Sequence, residues 1–148
     1  MAPAEVLAEL RHLSEVYAMA MDRNQPELLA DILTEDAVVT GPGFRMEGLV
    51  QVQQSPAMLR DMYVMTQHLV HNLTATVKDG EAEGETYSTA SHVMRPASDG
   101  GGHALLVWAI RYQDRYRRDG RHWRISARTL VVDWSEVRPV TIGAGGPQ

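Results

Sequence analysis

LRDMYVMTQHLVHNLTATV, residues 59–77, changes its period partway along. The part up to Asp61 and Met62 reads as the end of a helix, whereas Thr66 to Val77 alternates and is rich in β-branched residues, which predicts a strand. On a regular strand His68, Val70, Asn72 and Thr74 point to one side and Gln67, Leu69, His71 and Leu73 to the other. His68 and Asn72 then share a face, roughly 13 Å apart at about 3.3 Å per residue, so they line one pocket without touching. A lone imidazole on such a strand is most often simply hydrogen-bonded inside a sheet. The case for chemistry at His68 depends on what the rest of the chain brings to it.

Upstream, Val6, Leu10, Leu13, Tyr17 and Met21 recur at three- and four-residue steps, so residues 4 to 22 read as an amphipathic helix. Asp22 stands at its C-terminal end, where the macrodipole disfavours a carboxylate that has no partner; a solvated residue or a cap for the next helix is the plainer reading. Pro26 starts a short second helix to Leu33, Asp36 to Thr40 is a short strand, Gly41-Pro42-Gly43 turns the chain, and a third helix spans roughly 49 to 61.

Downstream the chain is strands. Asp79-Gly80 is a hairpin signal returning as Glu81 to Arg95. On that strand Ala82, Gly84, Thr86, Ser88, Ala90 and His92 share a side, which leaves space for a ligand or for the bulky face of a packed helix. PASDGGG, residues 96–102, is a turn. His103 to Tyr116 and a closing strand to about Trp134 flank a second hairpin at Asp119-Gly120. Residues 1–138 read as one domain and 139–148, rich in Gly and Pro, as a flexible tail. Helices followed by long, mostly antiparallel strands predict an α+β cone-shaped barrel, with the N-terminal helices packed on a curved sheet whose interior is a concave pocket.

Composition narrows the functions. The 148 residues suffice for one core, and the absence of cysteine removes disulfides, thiol nucleophiles and Cys-ligated metals. His68 and His71 face opposite sides of a regular strand and no HExxH-like pair occurs, so no metal site is expected. A net charge of -5 argues against nucleic acid; the arginines from Arg111 to Arg124 read as a solvated hairpin tip. Acidic residues in the first 20 positions and the lack of a long apolar run predict no signal peptide and no membrane span, hence a soluble cytoplasmic protein.

VYAMAMDRNQPELLADILTEDAVV (16–39), MTQHLVHNLTATVKDGEAEGETYSTASHV (65–93) and YRRDGRHWRISARTLVVDW (116–134) resemble the SnoaL-like branch of the nuclear transport factor 2-like superfamily, which includes ketosteroid isomerase, scytalone dehydratase, bile acid dehydratases and a dehydrochlorinase. The resemblance implies a general base at His68, backed by the carboxylate of Asp22, with Tyr17 and His92 as proton donors and Arg128 binding substrate. Asn72 is a further candidate for holding substrate, and Met65 one of several methionines suited to an adaptable apolar lining.

An aspartate on one imidazole nitrogen fixes the tautomer and leaves the other nitrogen to act as a base. The expectation is a cofactor-independent dehydratase or isomerase acting on a mostly apolar small molecule such as a polyketide, steroid or terpenoid. A polyketide cyclase or epoxide hydrolase of the same fold, or a non-catalytic ligand-binding module, remains open. Trp108 and Trp134, read as exposed on the long strands, predict a homodimer or higher homo-oligomer through the outer face of the sheet.

Overall fold

Leu10, Leu13, Tyr17 and Met21 form the buried stripe of α1 (Ala4–Asp22), and this stripe is what the sheet curls around. In the computed structural model, which describes residues 1–97 and 101–146, α1 is followed by a 3-10 turn (Pro26–Leu28) and α2 (Leu29–Ile32). Then come β1 (Leu33–Gly41), β2 (Phe44–Glu47), α3 (Leu49–Val52), α4 (Ser55–Met62), β3 (Met65–Lys78), β4 (Glu81–Met94), β5 (His103–Asp119) and β6 (His122–Val140). The expected third helix is thus two short ones. The six strands form one sheet in the order β2-β1-β6-β5-β4-β3, antiparallel except where β1 runs parallel to β6. The fold is an α+β cone; β2 and β3 remain as edges, so the sheet is curled rather than closed.

The first hairpin turns at the expected Asp79-Gly80; the second turns one residue later than expected, at Gly120-Arg121, because Asp119 still pairs with His122. Asp79 and Gly80 each take positive φ, at 54° and 80°, as a two-residue turn of matching twist requires. The closing strand continues to Val140 rather than ending near Trp134, because β5 still offers partners as far as His103. Of the turn at 96–102, residues 98–100 lie outside the described residues, as do Pro147 and Gln148 of the expected tail.

Four breaks in register among the described residues interrupt the sheet, and two of them change which site side chains point inward. On β3 the pairing passes from Val70↔Ser88 to Leu73↔Thr86, so His71 and Asn72 together face the single residue Tyr87. Beyond this bulge Leu73 and Ala75 turn inward. The regular alternation expected for β3 is therefore corrected: Asn72 does not share a face with His68. The bulge is tied to the helix, since Arg11 donates to the carbonyls of His71 and Val70. On β6 an extra residue, Ser126, lies between Ile125 and Ala127, so Trp123 and Ile125 before it and Arg128 and Leu130 after it all face the interior.

The small-residue row of β4 has two uses. At one end it is filled: a Cβ on Gly84 would lie 2.9 Å from the Thr74 carbonyl oxygen and 3.3 Å from the Tyr116 ring. At the other end, Ala90 and His92 border open space.

Candidate functional site

Asp22 is the last residue of α1, and no basic residue occupies that last turn. Its carboxylate is instead satisfied by β3. Thr66 Oγ1 donates to Oδ1 at 2.9 Å and the backbone N–H of His68 donates to Oδ2 at 2.8 Å. His68 Nδ1 lies 2.6 Å from Oδ1. A carboxylate only accepts, so Nδ1 carries the proton and Nε2 presents its lone pair. The pair is largely enclosed, with 8 % of the His68 side chain and 20 % of the Asp22 side chain exposed.

His92 stands opposite Thr66 across the β3–β4 pairing, its ring 6.0 Å from that of His68 and nearly perpendicular to it. Its Nδ1 is 3.1 Å from the Leu106 carbonyl oxygen, an acceptor, so the proton again sits on Nδ1. Burial pushes the His92 pKa below the ordinary histidine value, with the nearby His68 adding to the effect, although the Leu106 bond opposes it. Burial thus favours the neutral ring, with Nδ1–H on the Leu106 carbonyl and Nε2 left as an acceptor. Its ring is bracketed by Tyr63 at 4.7 Å and Trp108 at 5.2 Å.

Both imidazoles border a cavity of about 290 Å³ between α1, α4 and the sheet. Tyr17, Met21, Phe44, Tyr63, Trp108 and Tyr112 supply much of its wall. Among the described residues no Lys, Arg, Asp or Glu lines it. A larger and more open groove, about 610 Å³, runs over Glu83, Glu85, Gln113 and Arg115, away from the imidazoles. It lacks the enclosure that strengthens polar interactions, so the smaller cavity is the candidate site. Among the described residues no three His, Asp or Glu side chains come together as a metal site.

Tyr17 lines the cavity, and burial raises its pKa so that the phenol keeps its proton. Arg128 does not reach the cavity. It is sealed behind the aromatic wall, its guanidinium 4.4 Å from the Tyr17 ring centroid and 4.0 Å from that of Tyr112. Its Nε and Nη2 donate to the two oxygens of Asp114 at 2.8 and 2.7 Å, and Nη2 also reaches Ser14. Burial alone would favour loss of its proton; Asp114 more than offsets this and keeps it charged. Its geometry is that of a wall support: Nε and Nη2 are bonded to Asp114 and Ser14, Nη1 is buried without a hydrogen-bond partner among the described residues, and Arg128 is not among the residues that border the cavity. Asp133, further along β6, pairs with Arg111.

Asn72 is exposed at the bulge, and Met65 borders a separate hollow beside Asp22 and Arg23, so neither meets the imidazoles. Trp108, expected on the outer face, turns inward to the cavity; Trp134 is 67 % exposed as expected. Sequence reasoning missed Thr66, Tyr63 and Asp114. Thr66 lies two residues before His68 on the same face, a spacing that could have flagged it.

A family model described as a SnoaL-like domain matches residues 2–129. No curated protein matches the chain. Among solved structures, the Kfla4162 protein of Kribbella flavida is 22 % identical with a TM-score of 0.77, the alignment covering 90 % of this chain and 95 % of that one. A type 2 hexachlorocyclohexane dehydrochlorinase is 21 % identical with a TM-score of 0.75, over 90 % and 88 % of the two chains. A protein named as a candidate scytalone dehydratase, from Novosphingobium aromaticivorans, is 21 % identical with a TM-score of 0.72, over 95 % and 91 %. At these identities the likeness establishes the fold.

Proposed function

Because the chain belongs to the SnoaL-like domain family and carries its nuclear transport factor 2-like cone, we propose that it is a lyase of the dehydratase type, acting on a small apolar molecule. The observation that carries this reading is the 2.6 Å contact between Asp22 and His68 at the wall of an enclosed, apolar cavity. The names of the similar structures, a dehydrochlorinase and a candidate dehydratase, support elimination over cyclisation or hydrolysis.

The proposed steps use only side chains. Nε2 of His68 takes a proton from a carbon beside a carbonyl or similar activating group, and the released electron pair forms the double bond as the neighbouring C–O bond breaks. The departing oxygen takes a proton either from the imidazolium just formed or from the hydroxyl of Tyr17 or Tyr63, and leaves as water. In the second route the imidazolium reprotonates the tyrosine, so the enzyme returns to its starting state. Asp22 holds the ring in the reactive tautomer and faces the positive charge that develops. This chemistry needs no cofactor.

Incubation with β-hydroxycyclohexanone, read by the ultraviolet absorbance of the enone, tests the assignment. The native chain is expected to accelerate loss of water, and His68→Ala and Asp22→Asn to abolish it while circular dichroism is unchanged. Full activity in either variant contradicts the assignment. The homodimer now rests on Trp134, Leu69 and Tyr87, exposed large residues of the sheet. A dimeric mass by light scattering supports it and a monomeric one ends it.

A further inference from the structure

Two imidazoles face one cavity, and each has its N–H committed elsewhere: His68 Nδ1 to Asp22, His92 Nδ1 to the Leu106 carbonyl. Among the described residues neither Nε2 has a protein partner. Two acceptors therefore stand on rings 6.0 Å apart at the wall of one half-enclosed cavity, within the span of one small molecule. We propose that the ligand supplies the missing donor: the cavity selects a neutral, flat, largely apolar molecule that keeps a hydroxyl hydrogen-bonded to His92 Nε2 while its acidic C–H lies against His68.

Three features of the wall support this substrate class. Tyr63 and Trp108 line the cavity beside His92, their ring centroids 4.7 and 5.2 Å from its own, and supply aromatic wall. Among the described residues no Lys or Arg lines the cavity, and the Arg128 guanidinium behind the wall is already paired with Asp114, so a carboxylate or phosphate would be desolvated without a counter-charge of its own. Burial pushes His92 towards its neutral form, which disfavours an imidazolium anion site beside the Leu106-bound Nδ1–H.

The hydroxyl held by His92 is distinct from the one that leaves. Donating its proton to a nitrogen raises the electron density on its oxygen, which opposes C–O cleavage, so this group stays in the product. His92 is accordingly a residue of substrate selection and placement. The proposal rests on the lyase reading only for the orientation of the reacting carbon, and hydroxyl selection can be measured without turnover.

The test is equilibrium binding of β-naphthol, its methyl ether and β-naphthoate by calorimetry. The native chain is expected to bind the naphthol about tenfold more tightly than the ether, and the naphthoate at least as weakly as the ether. His92→Phe, which keeps a ring between Tyr63 and Trp108, should erase the gap between naphthol and ether, and His68→Ala should retain it. Equal binding of naphthol and ether by the native chain, or a gap that survives in His92→Phe, overturns the proposal. Imidazole nitrogen NMR of the native chain decides the matter even if His92→Phe fails to fold. The expected result is an unprotonated Nε2 at neutral pH whose signal moves with naphthol and not with ether; a protonated Nε2 contradicts it. Hydroxyl selection at His92 without any elimination activity would remove the lyase reading and leave this inference standing.

Discussion

Asp22 and Asp114 are both carboxylates that pair with a nitrogen base, and they end in opposite situations. Asp114 on β5 meets Arg128 on β6 and, through it, Ser14 on α1, in a cluster with no exposed surface. Its partner carries a permanent charge and has almost every donor occupied or stacked. Asp22 meets an imidazole at the cavity wall, and that imidazole keeps one nitrogen free. The first pair fixes helix to sheet, and the second lies where the wall is incomplete and a proton can move. A carboxylate with a cationic or basic partner is thus no marker of reactivity; the partner's remaining valence and its access to the cavity decide.

Two substitutions break the comparison in opposite directions. Asp22→Asn should lower turnover by about 10² to 10⁴-fold, the range for a positioned acid-base group, while costing only about 1–2 kcal/mol of stability, because the carboxylate is partly exposed. Asp114→Asn should instead cost about 3–5 kcal/mol of stability, because the guanidinium of Arg128 is left buried without its counter-charge. The activity of the molecules that remain folded should be unchanged. If Asp114→Asn abolishes activity at full stability, the structural role given to that pair is wrong.

A smaller effect sharpens the picture of the reactive pair. Thr66→Val removes one of the hydrogen bonds holding Asp22, which should cost about 1 kcal/mol of stability and lower kcat more than it raises KM. A change confined to KM would place Thr66 at the substrate rather than behind the carboxylate. The least effect concerns pH. The folded chain holds His92 with a pKa below the ordinary 6.5, so as pH falls through that value the unfolded chain takes up a proton that the folded chain refuses. Stability should therefore decline on the acid side, and His92→Phe should flatten that part of the curve in a pH series of urea unfolding.

The elements that depend on local chemistry were readable in advance. The Asp79-Gly80 hairpin, the stripe of α1 and the awkward carboxylate at its end all carry short-range signals and have the expected place, and the second hairpin is displaced by a single residue. The bulges carry no such signal. Nothing in LVHNL distinguishes a regular strand from one in which His71 and Asn72 face a single partner, because the extra residue is accommodated by Arg11, some sixty positions away. Asn72 was misplaced for that reason. Asp114 sits in an arginine-rich run whose neighbours Arg115 and Arg117 are surface residues, and only the bulge at Ser126 brings Arg128 inward to meet it. The inward turn of Trp108 likewise depends on long-range register, which a fully apolar run from Leu105 to Ile110 does not reveal.

Proton abstraction by His68 is the claim on which the rest depends, and it can be observed without knowing the leaving group. Exchange of the α-protons of β-tetralone, followed by NMR in deuterium oxide, reads that step alone. The native chain should accelerate exchange, with His68→Gln falling to the buffer rate while its circular dichroism is unchanged. Equal exchange by the native chain and His68→Gln would contradict the account.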